Sequence, residues 1–317
     1  MTAINNWRKS HAYPLQAIKM TLKGRARRVD TKAVVAQRLK RLTSIHGKLS
    51  RFPHMKLSQM QDIGGCRAVV SGIPQLETLV DAYANAKRRK GRSELCNIDD
   101  YIGTPKEDGY RGIHLVYKYR TQQLPGAELA KFDGLRIEVQ LRSSLQHAWA
   151  TAVEIVDAFT DQALKTGFGR EPWKHFFRLA ASVLALREHL PVVANTPTDE
   201  TQLLAAFRRA EHGLNAVPLL QGFQYAIQHA TSGPENAKLY LLMLNSKQMS
   251  MQVQGFAAAE QNQAVEQYLE RERRIANDPD CQVVLVAVDS LAALKAAYPN
   301  YYLNAARFLS EVKRVLS

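Results

Sequence analysis

The segment LRIEVQLR, residues 135–142, alternates strictly between apolar and polar side chains. Successive side chains of a β-strand point to opposite faces of the sheet, so the alternation predicts a strand with one buried face. The other face carries a single carboxylate, Glu138, between the guanidinium groups of Arg136 and Arg142. This arrangement is typical of the floor of a site that binds a charged ligand and a metal ion.

A loop at 97–112 precedes a predicted strand at 113–119, within the stretch DDYIGTPKEDGYRGIHLVYKY (99–119). Gly109 and Gly112 allow tight backbone geometry, and an exposed Tyr110 between them could stack on a purine base. A buried anchoring tyrosine is the ordinary alternative. His114 falls on the strand, where a lone histidine is more often structural than catalytic.

Composition indicates a cytoplasmic globular protein. The 317 residues are 46% hydrophobic and 23% charged, as in ordinary globular domains. The sequence lacks the run of about 18 apolar residues that a membrane helix needs, and its N-terminus lacks a secretory signal. The three cysteines, Cys66, Cys96 and Cys281, are too scattered for a disulfide framework or a Cys-based zinc site.

The positive charge is concentrated in one segment. The first 60 residues hold fourteen Lys or Arg against one acid, Asp30, for a net +13 of the chain's +14. Such a segment is typical of a polyphosphate-binding or nucleic-acid-binding surface. A solvated helix face that aids solubility is the open alternative.

The spacing of apolar residues and the positions of Gly and Pro predict two domains. Residues 1–195 are predicted to form the first, and a Pro- and Thr-containing break at 191–199 separates it from a C-terminal α/β module, 196–317. The predicted elements are helices within 14–50, a Gly64-Gly65 turn entering a buried strand, a helix at 74–90, strands at 113–119 and 135–142, a helix at 144–159, and in the module a helix (201–215), a strand (238–244), a helix (255–275), a strand (282–288) and a final helix.

Two carboxylates far apart in the sequence, Asp62 and Glu138, each lie on or beside a predicted strand. If they converge, they could hold Mg²⁺ against a nucleoside triphosphate, because Mg²⁺ takes one or two carboxylates and completes its shell with water and phosphate. A turn or cap role for Asp62 and an ion pair of Glu138 with a neighbouring arginine are the structural alternatives.

The stretch RLKRLTSIHGKLSR (38–51) places Lys40, Ser44, Lys48 and Arg51 at helical spacing, with Arg41 on the same side. Residues four apart share a helix face, so several cations and a hydroxyl could face one phosphate chain. A solvated basic face would have the same spacing, so the pattern alone leaves both interpretations open.

Together these segments resemble the synthetase domain of the RelA/SpoT family of (p)ppGpp synthetases, over about residues 30–160. Four motifs occur in the family's order: RLKRLTSIHGK, matching at Arg38, Lys40, Ser44, Ile45 and Lys48; DIGGCRAVV, at Asp62 and Arg67; DYIGTPKEDGYRGIH, at Asp100, Tyr101, Lys106, Gly109, Tyr110, Arg111 and His114; and IEVQLRSSLQHAWATAVE, at Glu138, Gln140, Arg142, Trp149 and Glu154.

The resemblance implies an α+β fold, with a mixed β-sheet flanked by helices in a nucleotidyltransferase (polymerase β-like) domain. It implies an enzyme that transfers the β,γ-pyrophosphate of ATP to the 3′-hydroxyl of GDP or GTP, with Mg²⁺, releasing AMP. The implied roles are Arg38 at the adenine, Lys40, Ser44, Lys48 and Arg51 at the ATP phosphates, Asp62 as metal ligand, Glu138 as metal ligand, base or both, Tyr110 against the guanine, and Lys106, His114, Gln140 and Arg142 around the acceptor.

Three departures qualify the resemblance. Thr43 stands where the family usually has Tyr, and a second adenine-stacking arginine has only Arg92 and the 87–90 cluster as candidates. None of the histidines is followed by Asp, and no upstream segment could hold the family's hydrolase domain, so a synthetase-only, small alarmone synthetase type is expected.

Two other functions remain open. Some toxic relatives pyrophosphorylate the 3′ end of tRNA, which the basic N-terminal segment and the KRRKGR run (87–92) would suit. An inactive nucleic-acid-binding protein that keeps the fold is the other. The expected partners are ATP with GDP or GTP, tRNA in the alternative case, and further copies of the chain in a homo-oligomer, but no membrane. A regulatory, antitoxin-like or oligomerisation role is open for 196–317.

Overall fold

The computed structural model describes residues 2–40, 42–86, 93–121, 127–160, 171–229, 237–245, 250–275, 278, 281–287 and 301–317. Its elements, in chain order, are α1 (Thr2–Ser10), α2 (Ala12–Val29), β1 (Val34–Leu39), α3 (Leu42–Arg51), β2 (Gly64–Val70), α4 (Ile73–Ala86), β3 (Ser93–Asp100), β4 (Ile113–Tyr119), β5 (Arg136–Ser143), α5 (Ser144–Thr160), α6 (Glu171–Arg187), α7 (Glu200–Leu214), α8 (Ala216–His229), β6 (Ala237–Asn245), β7 (Ser250–Ala257), α9 (Gln261–Ile275), β8 (Cys281–Ala287) and α10 (Tyr301–Leu316).

Five strands form a mixed sheet in the order β1-β2-β5-β4-β3. Strands β2 and β5 run parallel, and every other neighbouring pair is antiparallel. Helices α2 and α4 pack on this sheet, which confirms the predicted α+β class with a mixed sheet flanked by helices. The nucleotidyltransferase assignment stays a prediction.

One face of this sheet is apolar and forms the core. Leu15, Ile18 and Leu22 of α2 pack with Leu76 and Leu79 of α4 against the sheet. The strand side chains on that face include Cys66, Ala68, Ile137, Val139, Leu141, Ile113 and Leu115. Because side chains alternate along a strand, Glu138, Gln140 and Arg142 of β5 lie on the opposite face. The alternation predicted for β5 is therefore confirmed.

Four predictions about local structure were wrong. Residues 34–39 form strand β1 rather than a helix, because they pair along β2 from Val34 opposite Val69 to Leu39 opposite Gly64. Residues 93–100 form strand β3, although a loop was predicted from 97. Gly64 and Gly65 are the first two residues of β2 rather than a turn. The predicted helix 255–275 begins only at Gln261, because residues 250–257 pair with β6.

The chain divides into two compact units, Met1–Pro105 with Arg111–Gln146, and Lys106–Tyr110 with His147–Ser317. The division falls in the first turn of α5, whereas the predicted boundary near 195 lies inside the second unit and stays a prediction.

The second unit combines a helical core with a small sheet. Trp173, Phe176 and Phe177 of α6 cluster, and Phe176 stacks on Phe207 of α7 with ring centroids 5.5 Å apart. Its sheet has the order β7-β6-β8 and is antiparallel throughout. Helix α9 packs on this sheet through a buried cluster of Leu241, Phe256 and Ala264. Among the described helices, none combines the length and apolarity that crossing a bilayer requires.

Acidification is expected to destabilise the first unit through His11. Burial lowers the pKa of this histidine, and the contact of its Nδ1 with the Trp7 carbonyl oxygen, at 2.8 Å, acts in the opposite direction. The folded state therefore keeps the ring neutral, while the unfolded chain binds a proton below its ordinary pKa of about 6.5. Stability should fall as pH drops through that value.

Urea denaturation at pH 7.5 and at pH 5.5 measures the effect. The free energy of unfolding of the natural chain should fall more between these two pH values than that of His11→Gln. An equal fall in both proteins would contradict the assignment of this pH dependence to His11.

Candidate active site

The polar face of the five-stranded sheet brings together side chains from all five strands. Residues in register across neighbouring strands share a face. One row contains Asp99, His114, Gln140 and Arg67, and the next contains Val116, Glu138, Gly65 and Arg38. The strand pairings therefore place three predicted site residues, Arg38, His114 and Gln140, in these rows with Glu138.

Glu138 is held at both carboxylate oxygens. The Nδ1 atom of His114 lies 3.1 Å from its Oε1, and the Gln140 side-chain amide donates to its Oε2 at 2.7 Å. Arg142 in turn donates to the Gln140 Oε1 at 3.1 Å. Glu138, His114, Gln140 and Arg142 thus form one hydrogen-bonded chain in which the orientation of the carboxylate is fixed.

Burial raises the pKa of Glu138, but the hydrogen bond and charge of His114, with the Gln140 donor, bring it below its ordinary value. The carboxylate is therefore ionised at neutral pH. Only 18% of the Glu138 side chain is exposed, so solvent or a ligand reaches this negative charge through a small part of its surface.

Asp62 precedes β2 and is contacted by two lysines. The Lys40 ammonium group pairs with its Oδ2, and the Lys48 Nζ lies 3.2 Å from its Oδ1. Burial raises the pKa of Asp62, and the two ammonium groups outweigh that effect, so the pKa lies below its ordinary value. Asp62 is ionised at neutral pH, and its charge is balanced by cations of the chain itself.

Asp62 lies just before β2, whose first residues Gly64 and Gly65 pair with Ile137 and Glu138 of β5, and its negative charge acts in the direction that raises the pKa of Glu138. Two ionised carboxylates that repel each other gain from a divalent cation between them. Within the described residues, no cluster of three or more His, Cys, Asp and Glu side chains offers a protein-only metal site. Mg²⁺ fits such a carboxylate pair, since it typically takes one or two carboxylates with water and substrate phosphate.

The residues predicted to lie on one cationic helix are found on β1, just after that strand, and on α3. Arg38 is exposed on β1, and Lys40 follows that strand, where its backbone N–H donates to the Ile63 carbonyl oxygen at 2.8 Å. Ser44, Lys48 and Arg51 lie on α3, and the Arg51 Nε donates to Gly47 of the same helix. The prediction that one helix face carries all the cations was therefore wrong. Lys40 and Lys48 nevertheless both contact Asp62, one from the segment after β1 and the other from α3.

The loop that carries Tyr110 and Lys106 belongs to the second unit. Its backbone closes a turn, with the Gly109 N–H donating to the Lys106 carbonyl oxygen at 2.8 Å and the Lys106 N–H to that of Tyr110 at 3.2 Å. The Lys106 ammonium lies 5.2 Å from the Tyr110 ring centroid. Tyr110 is half-buried, and Lys106 is exposed.

Gly109 anchors this loop. It has a φ of +96°, and an added Cβ would lie 2.7 Å from the Ala181 Cβ and 3.2 Å from the Trp149 ring. The Trp149 indole N–H donates to the Phe177 carbonyl oxygen at 2.9 Å, so the surface beneath the glycine is itself held in place. Only glycine combines this backbone conformation with so close an approach.

From the sequence, Gly65 was predicted to lie in a turn, whereas strand pairing places it in the row that contains Arg38 and Glu138. Its row position between Arg38 and Glu138 depends on the pairing of three strands, and the Gly-Gly pair was the only local signal. The candidate arginines at 87–92 lie outside the described residues, and so does the side chain of Thr43.

A family model matches the segment of the chain that contains these residues. Residues 37–156 match a family model described as a region found in RelA / SpoT proteins, a span that includes Arg38, Asp62, Tyr110 and Glu138. Over these residues the chain is similar to that family. The resemblance seen in the four sequence motifs is thereby confirmed for this segment.

Two curated relatives come from Bacillus subtilis (strain 168). The GTP pyrophosphokinase YjbM is 30% identical over 121 residues, which are 37% of this chain and 52% of the relative. The GTP pyrophosphokinase YwaC is 28% identical over 120 residues, 36% of this chain and 52% of the relative. The chain thus spans about half the length of the curated relatives it matches.

Two solved structures match over part of the chain. Small alarmone synthetase 1 from Bacillus subtilis is 23% identical with a TM-score of 0.48, covering 58% of this chain and 92% of that one. A GTP pyrophosphokinase family protein from Streptococcus pneumoniae is 21% identical with a TM-score of 0.48, covering 60% and 91%.

Proposed function

We propose that the chain is a pyrophosphokinase that transfers the β,γ-pyrophosphate of ATP to the 3′-hydroxyl of GDP or GTP and releases AMP. The observation that carries the proposal is the geometry of two carboxylates in the segment that matches the RelA/SpoT model: Asp62 pairs with Lys40 and Lys48, and Glu138 is held by His114 and Gln140. The GTP pyrophosphokinase names of the two curated relatives support the same activity.

In the proposed reaction, the acceptor 3′-hydroxyl oxygen attacks the β-phosphorus of ATP, and the bond between that phosphorus and the oxygen bridging to the α-phosphate breaks. AMP leaves with the bridging oxygen and its electron pair. The hydroxyl proton passes to Glu138, whose ionised carboxylate is oriented by His114 and Gln140. Positioning and charge neutralisation supply most of the catalysis in such a transfer.

Asp62 and Glu138 would hold Mg²⁺, which neutralises charge on the phosphate oxygens when it is bound. Lys40 and Lys48 pair with Asp62, and their ammonium groups would also face the phosphates of ATP, with Ser44 and Arg51 further along α3. Arg38 would meet the adenine. His114, Gln140 and Arg142 would contact the acceptor, and the roles predicted for Tyr110 against the guanine and for Lys106 stay predictions.

Incubating the protein with γ-labelled ATP, Mg²⁺ and either GDP or GTP tests this proposal. The label should appear in the guanine nucleotide in step with release of AMP. Release of ADP, or label that stays in ATP with both acceptors, would contradict it.

The position of α2 favours the 3′ end of tRNA as a second candidate acceptor. Residues 2–29 contain no Asp or Glu, and α2 carries Lys19, Lys23, Arg27 and Arg28. This helix covers the apolar face of the sheet, opposite Glu138, so its cations are on the wrong side to meet the phosphates of a bound nucleotide. A polyanion such as an RNA backbone would use them.

Replacing Lys23, Arg27 and Arg28 together by Gln separates the two acceptors. If tRNA is the substrate, labelling of tRNA should fall and its dependence on salt should weaken, because fewer phosphates are neutralised. If GDP or GTP is the substrate, the triple variant should label it as fast as the natural chain. Loss of guanine nucleotide labelling in a folded triple variant would contradict the placement of α2 away from the site.

A further inference from the structure

One face of α6 holds the loop at residues 106–110. The Arg178 Nε donates to the Glu107 carbonyl oxygen at 3.0 Å. Ala181 lies three residues further along the helix, and therefore on the same face. It packs against the loop so closely that a Cβ added at Gly109 would lie 2.7 Å from the Ala181 Cβ. A hydrogen bond and a close packing contact from one helix thus fix the loop.

The residues that hold the loop lie outside the segment that the family model matches. That segment ends at residue 156, whereas α6 begins at Glu171. The loop itself groups with the second unit, although the strands before and after it belong to the first. The family resemblance therefore assigns no role to α6, and the contact between α6 and the loop is an observation on this chain.

The stability of α6 does not depend on Arg178. Its buried aromatic residues, Trp173, Phe176 and Phe177, anchor the helix in the core of the second unit. The ion pair of Arg178 with Glu171 is long, at 3.7 Å, and involves an exposed carboxylate, so it contributes little. The close polar contact of the Arg178 guanidinium is with the loop, and its effect should be on the loop.

The order of the strands indicates which substrate the loop serves. Strand β5, which carries Glu138, lies between β2 and β4. Lys40 follows β1 and Asp62 precedes β2, so the ammonium groups suited to the phosphates of a donor are on the β2 side. The loop leads into β4, and Tyr110 precedes His114, the residue that contacts Glu138, by four positions. The β4 side is left for the nucleotide that offers its hydroxyl to Glu138.

We propose that Arg178 is a positioning residue for the acceptor nucleotide. By holding the Glu107 carbonyl group it fixes the loop that carries Lys106 and Tyr110, whose ammonium group and ring centroid are 5.2 Å apart. A loop that is ordered before binding loses less entropy when the ligand arrives, so its release weakens binding of that ligand alone. This role rests on the proposed pyrophosphokinase function and extends it to a helix outside the matched segment.

Steady-state kinetics of Arg178→Met test this role, with GDP or GTP varied at saturating ATP and ATP varied at saturating acceptor. Methionine keeps the length of the side chain and removes the donor. The KM for the acceptor should rise about tenfold, the lower end of what a hydrogen bond from a charged group supplies, because this contact is near the surface. The KM for ATP and the melting temperature should stay unchanged, a split that a general loss of structure would not give.

Two further measurements connect the kinetic effect to the loop. Hydrogen exchange of the backbone amides at 104–112 should be faster in Arg178→Met, because the Lys106 and Gly109 N–H groups donate within the turn that Arg178 holds. Arg178→Lys retains a donor and should recover part of the affinity for the acceptor.

Lys174→Met is the matched control, because Lys174 lies one turn before Arg178 on α6 and pairs with the same carboxylate, Glu171, at 3.6 Å. It should keep both natural KM values. An unchanged acceptor KM in folded Arg178→Met, or an equal rise in the KM for ATP, would overturn the positioning role and leave the proposed function standing. If Arg178→Met melts early, Arg178→Ala decides by the same criterion. Failure of the natural chain to label a guanine nucleotide would contradict the proposed function, and this role with it.

Discussion

Replacing Glu138 by Gln is expected to lower the rate of pyrophosphate transfer by about 10³-fold, within the range that a positioned general base contributes. The substitution keeps the size of the side chain and removes the charge that His114 and Gln140 hold in place. Glutamine can still accept a hydrogen bond but can neither take the acceptor proton nor bind a metal as a carboxylate does. Rates at saturating ATP and acceptor measure the effect.

Glu94→Gln is the control for this change. Glu94 is an exposed carboxylate on β3 that pairs with Arg120, and the residues in register with it are Lys118 and Arg136 rather than Glu138. Its replacement should leave both the rate and the melting temperature nearly unchanged, because exposed ion pairs contribute little. If Glu138→Gln kept near-natural turnover in a folded protein, Glu138 could not be the base or an essential metal ligand.

Replacing Asp62 by Asn is expected to lower kcat/KM for ATP by about 10³-fold, because a bound metal supplies several kcal/mol of transition-state stabilisation. The loss should shrink as the Mg²⁺ concentration is raised, since the remaining ligand still binds the ion weakly. The fold should persist, because Lys40 and Lys48 are 15% and 28% exposed and water can solvate the ammonium groups that lose their partner.

Asp81→Asn, an exposed carboxylate on α4, is the control and should behave as the natural chain does. Kinetics over a range of Mg²⁺ concentrations distinguish the two site carboxylates. A loss in Asp62→Asn that no concentration of metal reduces would contradict its role as a metal ligand. Full activity of that variant would remove Asp62 from the site.

Sequence periodicity predicted the elements whose pattern is set locally. The strict alternation of residues 135–142 identified β5 and the face on which Glu138 lies. The prediction for residues 34–39 was wrong because Val34, Val35 and Leu39 also fit a helical spacing. These residues form a strand because they pair with β2, which lies about thirty residues further along the chain. The error at residues 250–257 has the same cause, since only pairing with β6 makes that segment a strand.

The candidate site was predictable in composition but not in geometry. The four motifs contain the candidate carboxylates, the cations and the loop predicted to bind the acceptor, and a family match over residues 37–156 confirms the resemblance. The contacts of Lys40 with Asp62 and of His114 with Glu138 depend on which strands are neighbours and in what register. No spacing within a single segment contains that information, and Gly65 was predicted to lie in a turn rather than in the row of Arg38 and Glu138 for the same reason.

The location of the label after reaction with β-labelled ATP tests the proposed chemistry most directly. Transfer of a pyrophosphate moves the β-phosphorus as well as the γ-phosphorus, so the label should appear in the guanine nucleotide at its 3′ position with an equal amount of unlabelled AMP. A label that remains in ADP while only the γ-phosphate moves would identify a phosphokinase and contradict the proposal.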